Sequence, residues 1–283
     1  MNPILAAVAS SAIGGTSAAV TRFAVAAADP VTIAAFRFGV GFLTLLPVAL
    51  VLRSRWPSGR DWLGVAALGA MFYGVFFVVY AEALAHTTAA RGSLAISTLP
   101  VLTMLLGALL GREPLTVRKT LGVALTAGGV AAALAAGLAD APPGAWRGDL
   151  MMTGGMLSMA LYNVLSRPLM ARASPLGYAA AGMAFGSALN ALAAGWAHGA
   201  VTVASFAPAQ WAAVLYLGGF AGLGFYLWVY ALERATPTRV ASTITVSPIA
   251  AALLGAVLLD EPIGASLLVG VAAVALGIWI AAR

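Results

Sequence analysis

Four rings are spaced where they could handle a flat molecule. Tyr73, Phe76, Phe77 and Tyr80 stand at i, i+3, i+4 and i+7, which places them on one face of one helix. Such a face either packs against lipid and neighbouring helices or forms a wall on which planar substrates stack. The two phenols favour a wall, because a buried tyrosine hydroxyl needs a partner. Ala221, Gly224, Phe225 and Trp228 repeat the spacing later in the chain, giving a gap beside a large ring. Rings throughout on one side and a gap on the other would make an off-centre, aromatic-shaped pocket.

Polar groups supply the rest of a candidate substrate site. Tyr162-Asn163 and Asn190 fall inside apolar runs, where a carboxamide must be hydrogen-bonded. Each either bridges helices or binds a ligand, and Asn163 beside Tyr162 is the better ligand candidate. Ser97 precedes Pro100, and Ser247 precedes Pro248. A proline within a span frees a backbone carbonyl about four residues earlier. That carbonyl can take an amino group or be satisfied by a neighbouring hydroxyl. Arg22 and Arg37 also lie within apolar runs, where a guanidinium must pair or snorkel. Glu82 is the nearest expected partner, with Asp29 next. Arg37 and Glu82 are therefore read as a gating or structural charge pair, the other role for an arginine being to hold a substrate carboxylate.

Enzymatic chemistry finds no constellation. The two histidines, His86 and His198, fall at loops; there is no cysteine, and all nine acids lie near the ends of apolar runs. An intramembrane enzyme needs a base or metal cluster. No metal site and no cofactor are expected, and no phosphate-binding G-x-x-x-x-G-K-[ST] loop occurs.

The elements that must position these residues follow from composition. Of 283 residues, 62% are hydrophobic and 8% are charged, against about a quarter charged in a water-soluble domain. Soluble enzymes, nucleic-acid readers and disordered proteins are excluded, and a bundle of membrane helices of about 20 residues each remains. Ten spans are expected, at about Ile4–Ala27, Val31–Leu52, Trp62–Leu84, Gly92–Leu110, Leu115–Ala136, Gly148–Met170, Leu176–Trp196, Pro208–Leu232, Thr238–Leu259 and Gly264–Ala282. Proline with polar neighbours marks the breaks, and Met1-Asn2-Pro3 lacks the basic region of a cleaved leader. With the N-terminus inside, eleven of the fifteen Lys and Arg fall in inner loops and two, Arg91 and Arg147, in outer ones. This bias places both termini in the cytoplasm. It also accounts for the net charge of +6 without a nucleic-acid partner.

The two halves resemble each other. Leu109-Leu110-Gly111-Arg112-Glu113-Pro114-Leu115 matches Val257-Leu258-Leu259-Asp260-Glu261-Pro262-Ile263 at an offset of 148, which Pro100/Pro248 and Gly122/Gly270 share. In the earlier parts of the halves, Arg22/Arg167 and Pro30/Pro175 share an offset of 145. Five spans per half invert the second copy, so Arg112, Arg118 and Lys119 give way to Asp260, Ser266 and Leu267 on the opposite side. Inverted repeats of this kind are a signature of secondary transporters. Gly107/Gly111, Gly182/Gly186 and Gly218/Gly222 read as close helix packing.

This pattern resembles the EamA-type branch of the drug/metabolite transporter superfamily, and within it most the YddG-type exporters of aromatic amino acids. The resemblance covers essentially the whole chain. It implies an all-α integral membrane fold of ten helices in two inverted five-helix repeats, residues 1–138 and 147–283, around a central cavity. It further implies export of small metabolites across the bacterial inner membrane by alternating access, and because two inverted halves complete a cavity within one chain, a monomer is expected to suffice. The expected lining is Tyr73, Phe77, Tyr80, Ser97, Tyr162, Asn163, Trp228 and Ser247. One departure from internal symmetry stands out: the repeat mate of Arg37 is Gly182. Proton coupling needs an ionisable group that changes access near mid-membrane. Neither arginine can cycle a proton in this pH range, so obligatory coupling is not expected. A proton-coupled drug exporter is the alternative, and an intramembrane enzyme the distant one.

Overall fold

Proline and small polar caps start the helices. In the computed structural model, which describes residues 1–26, 28–112, 114–137, 141–197 and 206–282, Asn2 caps α1 (Pro3–Val25) through its side chain. Asp29 likewise caps α2 (Pro30–Val51) by accepting from the Thr32 amide at 2.9 Å. In both helices Pro occupies the first turn, where its missing N–H costs nothing. The later rods are α3 (Asp61–His86) and α4 (Ala89–Leu109), α5 (Val117–Ala136) and α6 (Ala145–Leu165), continued by the short segment Arg167–Arg172. After these come α7 (Pro175–Ala197), α8 (Pro208–Arg234), α9 (Pro237–Leu259) and α10 (Ala265–Ala282). Among the described residues there is no strand. Expectations resting on Glu113, Asp140, His198 and Arg283 lie outside the described residues.

Among the described residues, seven helices are long and apolar enough to cross a membrane: α1 to α4, α8, α9 and the stretch Pro175–Gly195 of α7. α6 is less apolar because it holds Arg147, Asp149 and Asn163 within its 21 residues. Among the described residues, α5 and α10 carry the apolar stretches Thr120–Ala136 and Ala265–Gly277. Large apolar side chains nonetheless face outward around the bundle. Leu109 and its repeat mate Val257 are each 82% exposed, a surface that lipid, not water, must cover.

The helices pack in pairs. α5 lies along α10, α2 against α7 and α8, α1 against α8 and α9, and α6 against α3 and α4. Exchanging helix n for helix n+5 turns each of these contacts into itself or into another observed contact. Glycines set the closest approaches. A Cβ on Gly218 would stand 2.3 Å from Val40 Cβ, and one on Gly222 2.6 Å from Thr44 Oγ1; these notches seat α2 on α8. Gly182 and Gly186 receive Tyr73 of α3 in the same way. Gly111 corrects the expectation of packing. Nothing lies within 4 Å of its Cβ position, and its φ of +65° ends α4 in a left-handed cap.

Three irregularities shape the interior. α4 breaks at Ser97–Thr98 ahead of Pro100, and α9 tightens into a 3-10 turn over Thr243–Thr245 ahead of Pro248. In α3, residues Ala70–Phe76 form a π-helical segment. Its loosened carbonyls are met by Asn190 of α7, whose Nδ2 lies 3.3 Å from the Tyr73 oxygen and 3.5 Å from the Gly74 oxygen. Asn190 is thus a helix bridge.

Candidate functional site

A central cavity lies between α1, α2, α3, α4, α6, α8 and α9, drawing its wall from both halves of the chain. From α3 come Phe76, Phe77 and Tyr80; from α8 come Phe225 and Trp228. The expected four-ring face is therefore split. The π segment inserts an extra residue into the turn, and each residue of a helix advances about 100° around its axis. Tyr73 accordingly turns away from the cavity into the notch formed by Gly182 and Gly186. There its hydroxyl lies 2.9 Å from that of Tyr162.

Tyr162 belongs to the same packed layer. Its ring stacks on Phe72 at 4.4 Å between centroids and leans on Tyr178 at 5.9 Å. Asn163 is fully buried and accepts a hydrogen bond of 2.9 Å from the Trp228 indole N–H. Asn163 therefore orients a ring of the wall and is not part of the lining. Ser97 turns back toward the Ser93 carbonyl of its own helix, at 3.5 Å. Of the eight expected lining residues, Phe77, Tyr80, Trp228 and Ser247 line the cavity, whereas Tyr73, Ser97, Tyr162 and Asn163 stand behind it.

The wall also contains groups that sequence reasoning passed over. Ser10, Gly14 and Ser17 form a small polar stripe on α1, at i, i+4 and i+7. Ser10 Oγ donates to the Gly224 carbonyl at 2.7 Å, tying α1 to α8, and Ser11 shares a 3.0 Å bond with Thr243 of α9. Met156 and Met159 of α6 supply adaptable surface. The spacing of the α1 stripe was the available signal, obscured because serine and glycine are common in membrane helices.

The expected charge pairs are rearranged. Arg22 binds Glu261 at 2.6 Å instead of Glu82, and its guanidinium also donates to the Leu84 and Thr87 carbonyls. Glu261 in turn accepts from the Ala89 amide at 3.0 Å, at the head of α4. Glu82 lies one helical turn from His86, 3.1 Å away and nearly half exposed. The reason is geometric: the α9–α10 connection brings Glu261 to the end of α1, while Glu82 points outward. Asp29 is occupied by its capping role. Arg37 lines the cavity with a relative exposure of 4%. Its Nη1 donates to Thr21 Oγ1 at 3.1 Å, and its guanidinium lies 4.7 Å from the centre of the Phe77 ring.

The free volume of the cavity is about 60 Å³, far below the roughly 300–1,000 Å³ of small-molecule pockets. Its walls must part to admit an amino acid. Such a chamber can stack rings, accept amino hydrogens on hydroxyls and hold an anion on Arg37. Among the described residues, no group of three or more His, Cys, Asp or Glu gathers where it could hold a metal.

Comparison with known proteins now bears on the cavity. The model of the EamA-like transporter family matches residues 1–135 and 146–283. The chain belongs to the EamA-like transporter family. This transporter family implies a multi-pass membrane protein, a lipid bilayer around it and a small-molecule substrate. Several of its relatives carry matching names. An uncharacterized transporter of Archaeoglobus fulgidus is 24% identical over 93% of this chain and 92% of its own length. The Bacillus subtilis transporter YetK, also uncharacterized, is 26% identical over 99% and 86%. A probable terminal-alkyne amino-acid exporter of Streptantibioticus cattleyicolor is 30% identical over 74% and 71%. A crystal structure of a protein 22% identical to this chain superposes with a TM-score of 0.74 over 99% of this chain and 95% of that one. At that identity it shows the shared fold alone. Family and relatives point to a transporter, not an enzyme.

Proposed function

We propose that this EamA-like transporter exports aromatic and other neutral amino acids, in the manner of the YddG-type carriers, from the cytoplasm across a bacterial inner membrane. The observation that carries this reading is the ring-lined cavity between the halves, with Tyr80, Phe77 and Trp228 around serine hydroxyls. The similarity to a probable amino-acid exporter supports the substrate class. On this reading the ten helices are ten spans in two inverted repeats, residues 1–138 and 147–283, with both termini cytoplasmic. The interchange of contacts between helices n and n+5 supports that arrangement, as does the 11:2 distribution of basic residues. One chain contains a complete cavity, so the working unit is a monomer without a cofactor.

The ion pair at one end of the bundle supports alternating access. Arg22, Glu261 and the head of α4 close that end, so a substrate must enter from the other and leave when the contacts part. Among the described residues no carboxylate lines the cavity, which supports transport down the substrate gradient or by exchange instead of obligatory proton coupling. The test is counterflow of radiolabelled amino acids in liposomes holding the pure protein. Aromatic amino acids should exchange fastest. Counterflow of none of them, with a cationic drug exchanging instead, would overturn the reading.

A further inference from the structure

The three arginines that reach the interior are treated differently by the fold. Arg22 is answered by Glu261 at 2.6 Å and Arg91 by Asp149 at 2.5 Å, with Thr87 donating to the same Asp149 carboxylate at 2.8 Å. Arg37 is more deeply buried than either, yet among the described residues no carboxylate lies within 4.0 Å of it. Of its five N–H donors, one finds Thr21 Oγ1, the neutral Tyr80 hydroxyl also meets the guanidinium, and Nε has no partner. The guanidinium lies beside the Phe77 ring, with Phe38 at 5.6 Å and Tyr80 at 5.7 Å. Rings beside a cation hold it without using its in-plane donors. Among the described residues it is the one charged group lining the cavity, and its repeat mate is Gly182, which offers no second cation from the other half.

We propose that Arg37 is the carboxylate-recognition group of the cavity, and that the transported molecule carries a carboxylate next to an apolar or aromatic body. This rests on the transporter reading above and narrows its substrate class. A buried cation without an internal counter-ion is completed by an anionic ligand, and the planar fork of arginine fits a carboxylate with two parallel bonds. The rings then receive the ligand's body. The same charge repels ligands whose only charge is positive, so amines and cationic drugs are excluded by the wall itself. Two kinds of molecule share this chemistry, α-amino acids and simple monocarboxylates. The α-ammonium separates them, and the serine oxygens of α1 would receive it.

The test is equilibrium binding to the full chain in lipid nanodiscs, using L-tryptophan, L-tryptophanamide, indole-3-propionate and tryptamine. Wild-type protein should bind L-tryptophan at least about 30-fold more tightly than the amide or tryptamine, the range expected when one partner of a buried charge pair is removed. Indole-3-propionate should also bind above the amide; a value near that of L-tryptophan identifies a monocarboxylate site, and a weaker one an amino-acid site. Arg37→Gln should abolish the preference for the acid over the amide, and Arg37→Lys should retain part of it. The wild-type comparison stands even if Arg37→Gln fails to fold. Equal binding of acid and amide by the wild type, an undiminished preference in a folded Arg37→Gln, or no binding of either acid overturns the inference. Binding by acids alone with no counterflow in liposomes would leave Arg37 standing and remove the transport reading. Counterflow indifferent to the carboxylate would do the reverse.

Discussion

Asn163 and Trp228 allow one interaction to be isolated from the rest of the cavity. The indole N–H donates to Asn163 Oδ1 at 2.9 Å, with both side chains essentially inaccessible. Asn163→Leu leaves that N–H buried without an acceptor, a loss of about 1–3 kcal/mol in protein interiors. Two facts reduce the figure. The Nδ2 of Asn163 already lacks a partner, so the substitution also removes a buried, unsatisfied group. Side-chain hydrogen bonds between membrane helices average about 0.6 kcal/mol with a maximum near 1.7. We expect Asn163→Leu to cost about 1 kcal/mol in wild-type protein. Trp228→Phe deletes the donor. In that background Asn163→Leu should cost nothing or stabilise, giving a coupling of about 1 kcal/mol. Equilibrium unfolding of the four proteins in mixed dodecyl sulfate micelles measures this. An identical cost of Asn163→Leu in both backgrounds would refute the reasoning that the bond, not packing around Asn163, holds the indole.

Tyr80→Ala and Trp228→Ala should each lower transport of an aromatic amino acid several-fold more than that of threonine, since ring contacts contribute about 0.5–1.5 kcal/mol beyond burial; equal losses at normal expression would remove the argument for an aromatic wall. Efflux from liposomes with the membrane potential clamped should be indifferent to an imposed pH gradient. Uphill accumulation that needs the gradient and vanishes in Glu82→Gln would contradict this. Because the chain has no cysteine, an impermeant thiol reagent applied to intact cells should label Ala141→Cys and spare Ser58→Cys, and the opposite pattern would invert the topology.

Helix breaks were legible in the sequence, and Pro30 and Pro175 sit in first turns, where a residue without an N–H belongs. Pro114 and Pro262, whose Glu-Pro-Leu and Glu-Pro-Ile motifs suggest the same place, instead lie ahead of helices that begin at Val117 and Ala265. The paired GxxxG notches of α7 and α8 were legible too, because close helix contact favours small residues. The division of the α3 rings was not, since apolar periodicity carries no sign of a local slip to i+5 bonding. The partner of Arg22 was hidden for a different reason. Nearness in sequence favoured Glu82, while the packing of α1 on α9 delivered Glu261 from the far end of the chain. The unanswered state of Arg37 could be seen only once every neighbouring acid had a position.

The π turn of α3 gives chain length a role usually reserved for side-chain identity. Deleting one residue between Ala70 and Phe76 would restore a regular helix and leave everything beyond it on the same face, because the wide turn already absorbs one extra residue. Phe77 and Tyr80 would keep their places, while a ring inside the segment such as Tyr73 would change its angle to them. The length of this segment thus sets which of its own rings face the wall, independently of substitutions. Relatives that differ in substrate could differ here by a single codon gained or lost, a change that an inventory of pocket residues would never register.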